Sequence, residues 1–95
     1  MSAVSLPDQI VTAVRNMRTC AESFGSPTEF PKLHSILNAL QMQVGDGDYQ
    51  KHAVVRLCEA CLATMELYFQ SVPEDLAARF ERLTIRVVEL IEDHR

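Results

Sequence analysis

Apolar residues recur every three or four positions along almost the whole chain, and this spacing constrains the fold more than any other feature. It places apolar side chains on one face of an α-helix, whereas a half-buried strand would alternate apolar and polar residues. We find no such alternation in the 95-residue sequence. The pattern predicts an all-α fold, and the length allows one domain over residues 1–95.

Breaks in the apolar pattern divide the chain into a small antiparallel bundle of four predicted helices. Ser5 is expected to cap the first helix, and Gly25-Ser26-Pro27 to end it, because glycine adopts left-handed geometry and proline stops continuation. Gly45-Asp46-Gly47-Asp48 forms the next break. Ser71 and Glu74 match a capping box at the start of the fourth helix. The predicted helices span residues 7–24, 29–44, 49–70 and 72–93, with the last two longest.

The third predicted helix carries two adjacent apolar rows. The principal row is Val54, Leu57, Cys58, Cys61, Met65, Tyr68 and Val72, and the second, at seven-residue spacing, is Val55, Leu62 and Phe69. Together they cover an arc of about 160°, which is wider than one neighbouring helix requires. The string Leu67-Tyr68-Phe69-Gln70-Ser71 resembles a protease site used to remove purification tags, but it extends both rows. We therefore assign it to the native fold.

Cys58 and Cys61 form a C-x-x-C pair, a spacing that metal sites and thiol–disulfide enzymes use. Both fall within the principal apolar row, where cysteine commonly packs as a small apolar side chain. Zinc would require two further ligands, and a thioredoxin-like motif belongs next to a strand–helix unit. Burial in the core is the favoured interpretation, and a metal- or redox-responsive module using this pair is the alternative.

Other candidate sites are weaker. A calcium loop beginning at Asp46 would need an acidic ligand at its twelfth position, which is Leu57. We therefore interpret Asp46 and Asp48 as part of a polar turn, with Asp48 capping the third helix. His34 adjoins the apolar stripe of its own helix. With no glycine-rich phosphate loop and no nucleophile–base signature in the sequence, we expect no catalytic residue, no cofactor and no metal.

The charge balance argues against general binding to nucleic acid. Thirteen acidic residues against nine basic ones give a net charge of −4, whereas phosphate-backbone binding needs a basic surface. Arg79, Arg82 and Arg86 do form a ridge on the fourth helix, but Asp75 and Glu89 lie close enough in sequence to pair with it. A small DNA-binding regulator using this ridge is the second alternative.

The sequence predicts a cytoplasmic protein. Residues 1–5 lack the basic and apolar regions of a secretory signal. No apolar run approaches the roughly 20 residues that span a bilayer. The three cysteines are an odd number and do not form a disulfide framework, which suits a reducing compartment.

Apolar surface beyond what the bundle needs predicts an interface. The candidate interface residues are Val55, Leu62, Phe69, Ala77, Ile85 and Val88, with Arg79, Arg82 and Arg86 beside them. Ile85 falls opposite the core stripe and is expected to be exposed. We expect a non-enzymatic regulator or inhibitor, such as an anti-activator or chaperone, that presents a helical face to another protein. Homodimerisation is expected because a two-fold contact uses one apolar patch twice.

Overall fold

A computed structural model describes residues 5–26, 28–45 and 49–93, apart from the side chain of Phe69. Within these ranges the chain is all-α, as its apolar spacing predicts. The elements are α1 (Leu6–Glu22), α2 (Pro31–Gly45), α3 (Lys51–Leu67), a 3-10 turn (Phe69–Ser71) and α4 (Glu74–Glu92).

The helices form a closed bundle in which successive helices run antiparallel. Helix α1 packs against α2 and α4, and α3 packs against the same two helices. Short connections favour this arrangement because they leave little chain for a crossover. Between α1 and α2, Arg18 Nη1 donates a hydrogen bond to Gln41 Oε1. The bundle measures 40 × 24 × 19 Å along its principal axes.

Each helix turns one apolar stripe into a shared core, as predicted. Burial of these side chains removes apolar surface from water, which is the main favourable contribution to folding. The central residues of the core are Ile10, Val14 and Met17 from α1, Leu33, Leu37 and Leu40 from α2, Val54, Cys58 and Cys61 from α3, and Phe80, Val87 and Ile91 from α4.

Four aromatic rings close one end of the bundle. Phe24 lies edge-on to Phe30 and Phe80, with ring centroids 6.4 and 5.5 Å apart, and Phe30 lies edge-on to Tyr68 at 4.9 Å. Such edge-to-face pairs stabilise the fold beyond what burial of the rings contributes. Gly25 is needed here because a Cβ atom on it would lie 2.7 Å from Cε2 of Phe30.

Helix α1 begins as predicted. The backbone N–H of Asp8 donates to Ser5 Oγ at 3.3 Å, which confirms Ser5 as the N-cap. The helix ends at Glu22, two residues earlier than expected, and Ser23 is its C-cap. Phe24 is therefore free to turn into the aromatic end of the bundle instead of continuing the helix.

Helix α2 begins at Pro31 and not at residue 29. Proline suits a first helical position because it lacks the N–H that has no intrahelical acceptor there. The turn before α2 is held by Ser26. Its carbonyl accepts from the N–H groups of Glu29 and Phe30, while its own N–H donates to Glu29 Oε1 at 3.2 Å.

Helix α3 is shorter than the predicted span of residues 49–70. It has 17 residues, as α1 does, so only α4, with 19, exceeds the first helix. The predicted cap at Asp48 lies outside the described residues, as does the rest of the 46–48 turn. The N-cap position of α3 is occupied by Gln50.

The capping box predicted at Ser71 and Glu74 is wrong. Ser71 ends the 3-10 turn, where its N–H donates to the carbonyl of Tyr68 at 2.8 Å. The next residue, Val72, is extended and buried against the core. A residue before proline is disfavoured in helical geometry, so the chain is extended at Val72 and α4 starts at Glu74 with Pro73 at its N-cap.

Candidate protein-binding surface

Helices α3 and α4 meet along a partly exposed apolar line on the outside of the bundle, which we call the α3–α4 seam. It contains Val55 and Leu62 of α3 and Ala77 and Val88 of α4, all half-buried. Val55, Ala77 and Val88 also contact the core from outside. The structure therefore places four of the predicted interface residues along one pair of helices.

The seam opens into a groove at each end. Because the helices are antiparallel, the end of α3 faces the beginning of α4. One groove, of about 360 Å³, is lined by Leu62, Met65, Glu66, Glu74, Ala77, Ala78 and Glu81. The other, of about 430 Å³, is lined by Lys51, His52, Val55, Arg56, Glu59, Ile91 and Glu92.

The first groove, called the acidic groove below, combines an apolar lining with carboxylates. Glu66 approaches from α3, and Glu74 and Glu81 from α4. Within the described part of the chain, its lining contains no basic side chain. These glutamates were not among the predicted interface residues, although Glu66 follows Leu62 by four residues and Glu81 follows Ala77 by four. That spacing places each carboxylate beside an apolar residue of the seam.

The remaining apolar interface residues lie away from the centre of the seam or outside what is described. Ile85 is 42% exposed, as predicted for its position opposite the core stripe. Phe69 lies in the 3-10 turn, and its side chain lies outside the described part of the structure. Two other large apolar residues that the sequence analysis did not single out are more exposed, Leu67 at 72% and Met42 at 79%.

The arginine ridge lies on a different side of α4. Arg79 and Arg86 line grooves between α4 and α1, and Arg82 is exposed. The predicted pairing with Asp75 and Glu89 is not found among the described residues. Exposed ion pairs contribute little to folding stability, because solvent screens the charges and ordering two long side chains costs conformational entropy. On α4, the predicted interface residues thus divide between the side that faces the seam and the side that carries the arginines.

The C-x-x-C pair is interior. Cys58 and Cys61 are fully buried, and burial raises the pKa of each thiol to about 12. At Cys58 burial is the larger cause, and the nearby Glu59 contributes to the same rise in pKa. At neutral pH both groups are therefore protonated, and the thiol is a far weaker nucleophile and ligand than the thiolate. The described residues contain no group of three or more His, Cys, Asp or Glu side chains arranged to hold a metal ion.

Two other chemically active side chains are buried. Cys20 of α1 donates from Sγ to the carbonyl of Leu76 at 3.6 Å, which links α1 to α4. His34 is only 3% exposed, and neither ring nitrogen has a hydrogen-bond partner among the described residues. Its position beside the apolar stripe of α2 was predicted from sequence, but the absence of a partner was not.

The fold defines the chain as a small antiparallel four-helix bundle with an open seam on one side. No protein-family model matches the chain, and searches of curated proteins and of solved structures found no match. Among the described helices, none combines the length and apolar character needed to cross a bilayer.

Proposed function

We propose that this chain is a non-enzymatic helical interaction module that regulates or inhibits another protein by binding it through the α3–α4 seam. The half-exposed apolar line along the seam carries the proposal. The buried core is built by side chains from all four helices, and Leu62 and Val55 are not among them. Both residues instead line open grooves at the surface. In a small protein, apolar surface of this kind usually marks an interface.

A second copy of the chain is one candidate occupant of the seam. A two-fold contact would bury Leu62 and Val55 of both copies and enlarge a core that is small for an isolated domain. The proposal includes a cytoplasmic setting, which the three free cysteines support.

Site-specific photocrosslinking tests whether the seam is an interface. A photoreactive amino acid at position 62 should give a discrete higher-mass adduct in cells that express the protein naturally. The matched control is position 42, where Met42 is exposed on α2, away from the seam. Adducts from position 42 and none from position 62 would contradict the proposal.

Light scattering on a sizing column, across a dilution series with reductant, then identifies self-association. A homodimer would have about twice the 10.7 kDa chain mass. We expect Leu62→Asp to disrupt any seam-mediated assembly while helicity by circular dichroism is retained, since Leu62 lines an open groove. The control Met42→Asp introduces the same charge elsewhere. Loss of helicity in Leu62→Asp alone would mean that Leu62 belongs to the core.

The arginine ridge supports a second candidate function. Arg79, Arg82 and Arg86 form no ion pair with the described residues, so all three can meet an anionic partner. A DNA-binding role predicts affinity that falls steeply with salt. Electrophoretic mobility shifts at low salt test it, and no shift there would remove this candidate.

A further inference from the structure

We propose that the acidic groove binds a basic amphipathic helix of a partner protein, with lysine or arginine on both sides of the apolar stripe of that helix. This inference rests on the proposed function and specifies the chemistry of the partner. It follows from the shape of the groove, the placement of its carboxylates and the charges that a second copy would bring.

The shape of the seam suits a helix. Two antiparallel helices leave a linear groove between them, and a third helix can place its apolar face there. Leu62 of α3 and Ala77 of α4 line the acidic groove and offer apolar contacts to one face of such a helix.

The carboxylates of the acidic groove stand on both of its sides. Glu66 belongs to α3, whereas Glu74 and Glu81 belong to α4. A guest helix that fills the apolar centre would therefore bring its flanking residues close to negative charge on either side. Basic flanking residues would be attracted to these carboxylates and acidic ones repelled. The groove would therefore select for charge as well as for apolar character.

A second copy of the chain matches the groove less well. In a two-fold contact the acidic groove meets either itself or the groove at the other end of the seam. The first arrangement opposes glutamates to glutamates. In the second, Lys51 and Arg56 share the opposing lining with Glu59 and Glu92, so the positive charge that faces the acidic groove is offset by negative charge. A basic helix offers the greater electrostatic complementarity.

Two synthetic helical peptides test the inference on the full chain. One is an 18-residue peptide with a leucine stripe flanked by lysines, and the other has the same stripe flanked by glutamates; the length is about that of a typical longer globular helix. Fluorescence anisotropy would measure their binding. We expect the lysine peptide to bind and the glutamate peptide not to bind.

Paired variants locate the binding site. Glu66→Gln/Glu81→Gln should weaken binding of the lysine peptide by about fivefold, because each exposed ion pair contributes modestly. Glu22→Gln/Glu89→Gln removes the same charge from exposed positions outside the groove and should leave binding almost unchanged. Equal weakening by both variants, or by neither, would overturn the inference.

The remaining outcomes separate this inference from the proposed function. Equal binding of both peptides, lost in Leu62→Asp, would mean that the seam binds helices without selecting charge. A stable dimer that Leu62→Asp dissociates would make a second copy the occupant. Either result overturns the inference and leaves the proposed function standing. A monomer that binds neither peptide and gives no crosslink from position 62 would overturn both.

Discussion

At the scale of single residues, His34 is the feature that sequence rules explain least. A buried imidazole normally has a hydrogen-bond partner, because removing a polar group from water without replacing its hydrogen bonds costs free energy. Both ring nitrogens of His34 are buried without a partner within the described ranges. We therefore expect His34 to lower the stability of the bundle relative to an apolar residue of similar size.

Replacement of His34 by leucine should stabilise the protein. We expect His34→Leu to raise the free energy of unfolding by about 1–2 kcal/mol, because the cost of the unpartnered nitrogens disappears. Urea unfolding monitored by circular dichroism would measure the change. His52→Leu is the control, since His52 is exposed and its replacement should change stability by less than about 0.5 kcal/mol. Destabilisation by His34→Leu would show that the imidazole makes a favourable interaction.

The buried thiols predict a loss of stability at alkaline pH. Burial raises the pKa values of Cys58 and Cys61 from 9.0 to about 12, so the folded chain holds these protons more tightly than the unfolded chain. Their contribution to stability is complete below pH 9 and falls as the pH rises from there towards 12. Between about pH 8 and 10.5, the free energy of unfolding should fall more steeply in the wild type than in Cys58→Ala/Cys61→Ala. Equal slopes in urea titrations would contradict this assignment.

At the scale of elements, two similar sequence motifs behave differently. Ser26 and Glu29 have the same serine–glutamate spacing as Ser71 and Glu74, yet only the first pair is hydrogen-bonded. Val72, which precedes Pro73, is extended and buried between Ser71 and α4. Neither pair starts a helix, since α2 begins at Pro31 and α4 at Glu74, so this spacing alone does not predict a helix start.

Two serine variants test the assignment of the caps. Ser5→Ala should lower the free energy of unfolding by about 0.5–1 kcal/mol, because the N–H of Asp8 loses its acceptor. Ser71→Ala should change it by less than about 0.5 kcal/mol, since the side chain of Ser71 caps no helix. Thermal unfolding of both variants measures the difference. A larger effect at Ser71 would restore the capping box expected from the sequence.

At the scale of the whole molecule, the aromatic end connects all four helices. Phe24 follows α1, Phe30 precedes α2, Tyr68 follows α3, and Phe80 lies within α4. The edge-to-face contact between Phe24 and Phe80 joins residues that are more than fifty positions apart in the chain. This end therefore depends on the complete bundle and contributes to its cooperativity.

Truncation of Phe80 should be the most damaging of these changes. Phe80 is fully buried, and Phe80→Ala should cost about 3–5 kcal/mol through lost burial and the cavity left behind. This is a large share of the roughly 5–15 kcal/mol that stabilises a typical domain. Ile85→Ala on the exposed side of α4 is the control, with an expected cost below about 1 kcal/mol. A cost near that of the control would mean that the aromatic end repacks around the cavity.

The apolar periodicity alone predicts the helices and the stripes that they bury, because a period of three to four residues is a local property of the chain. Val54 and Cys61 could be assigned to the core without knowing what they touch. The same periodicity identified Leu62 and Val55 as a second row on α3.

Which side of each helix meets which neighbour follows from the packing of the whole bundle. It brought Glu66 of α3 opposite Glu74 and Glu81 of α4, and it separated Arg79 from the seam. It also buried Val72 and left His34 without a partner among the described residues. These features depend on contacts between residues distant in sequence, and local periodicity carries no information about how those residues pair.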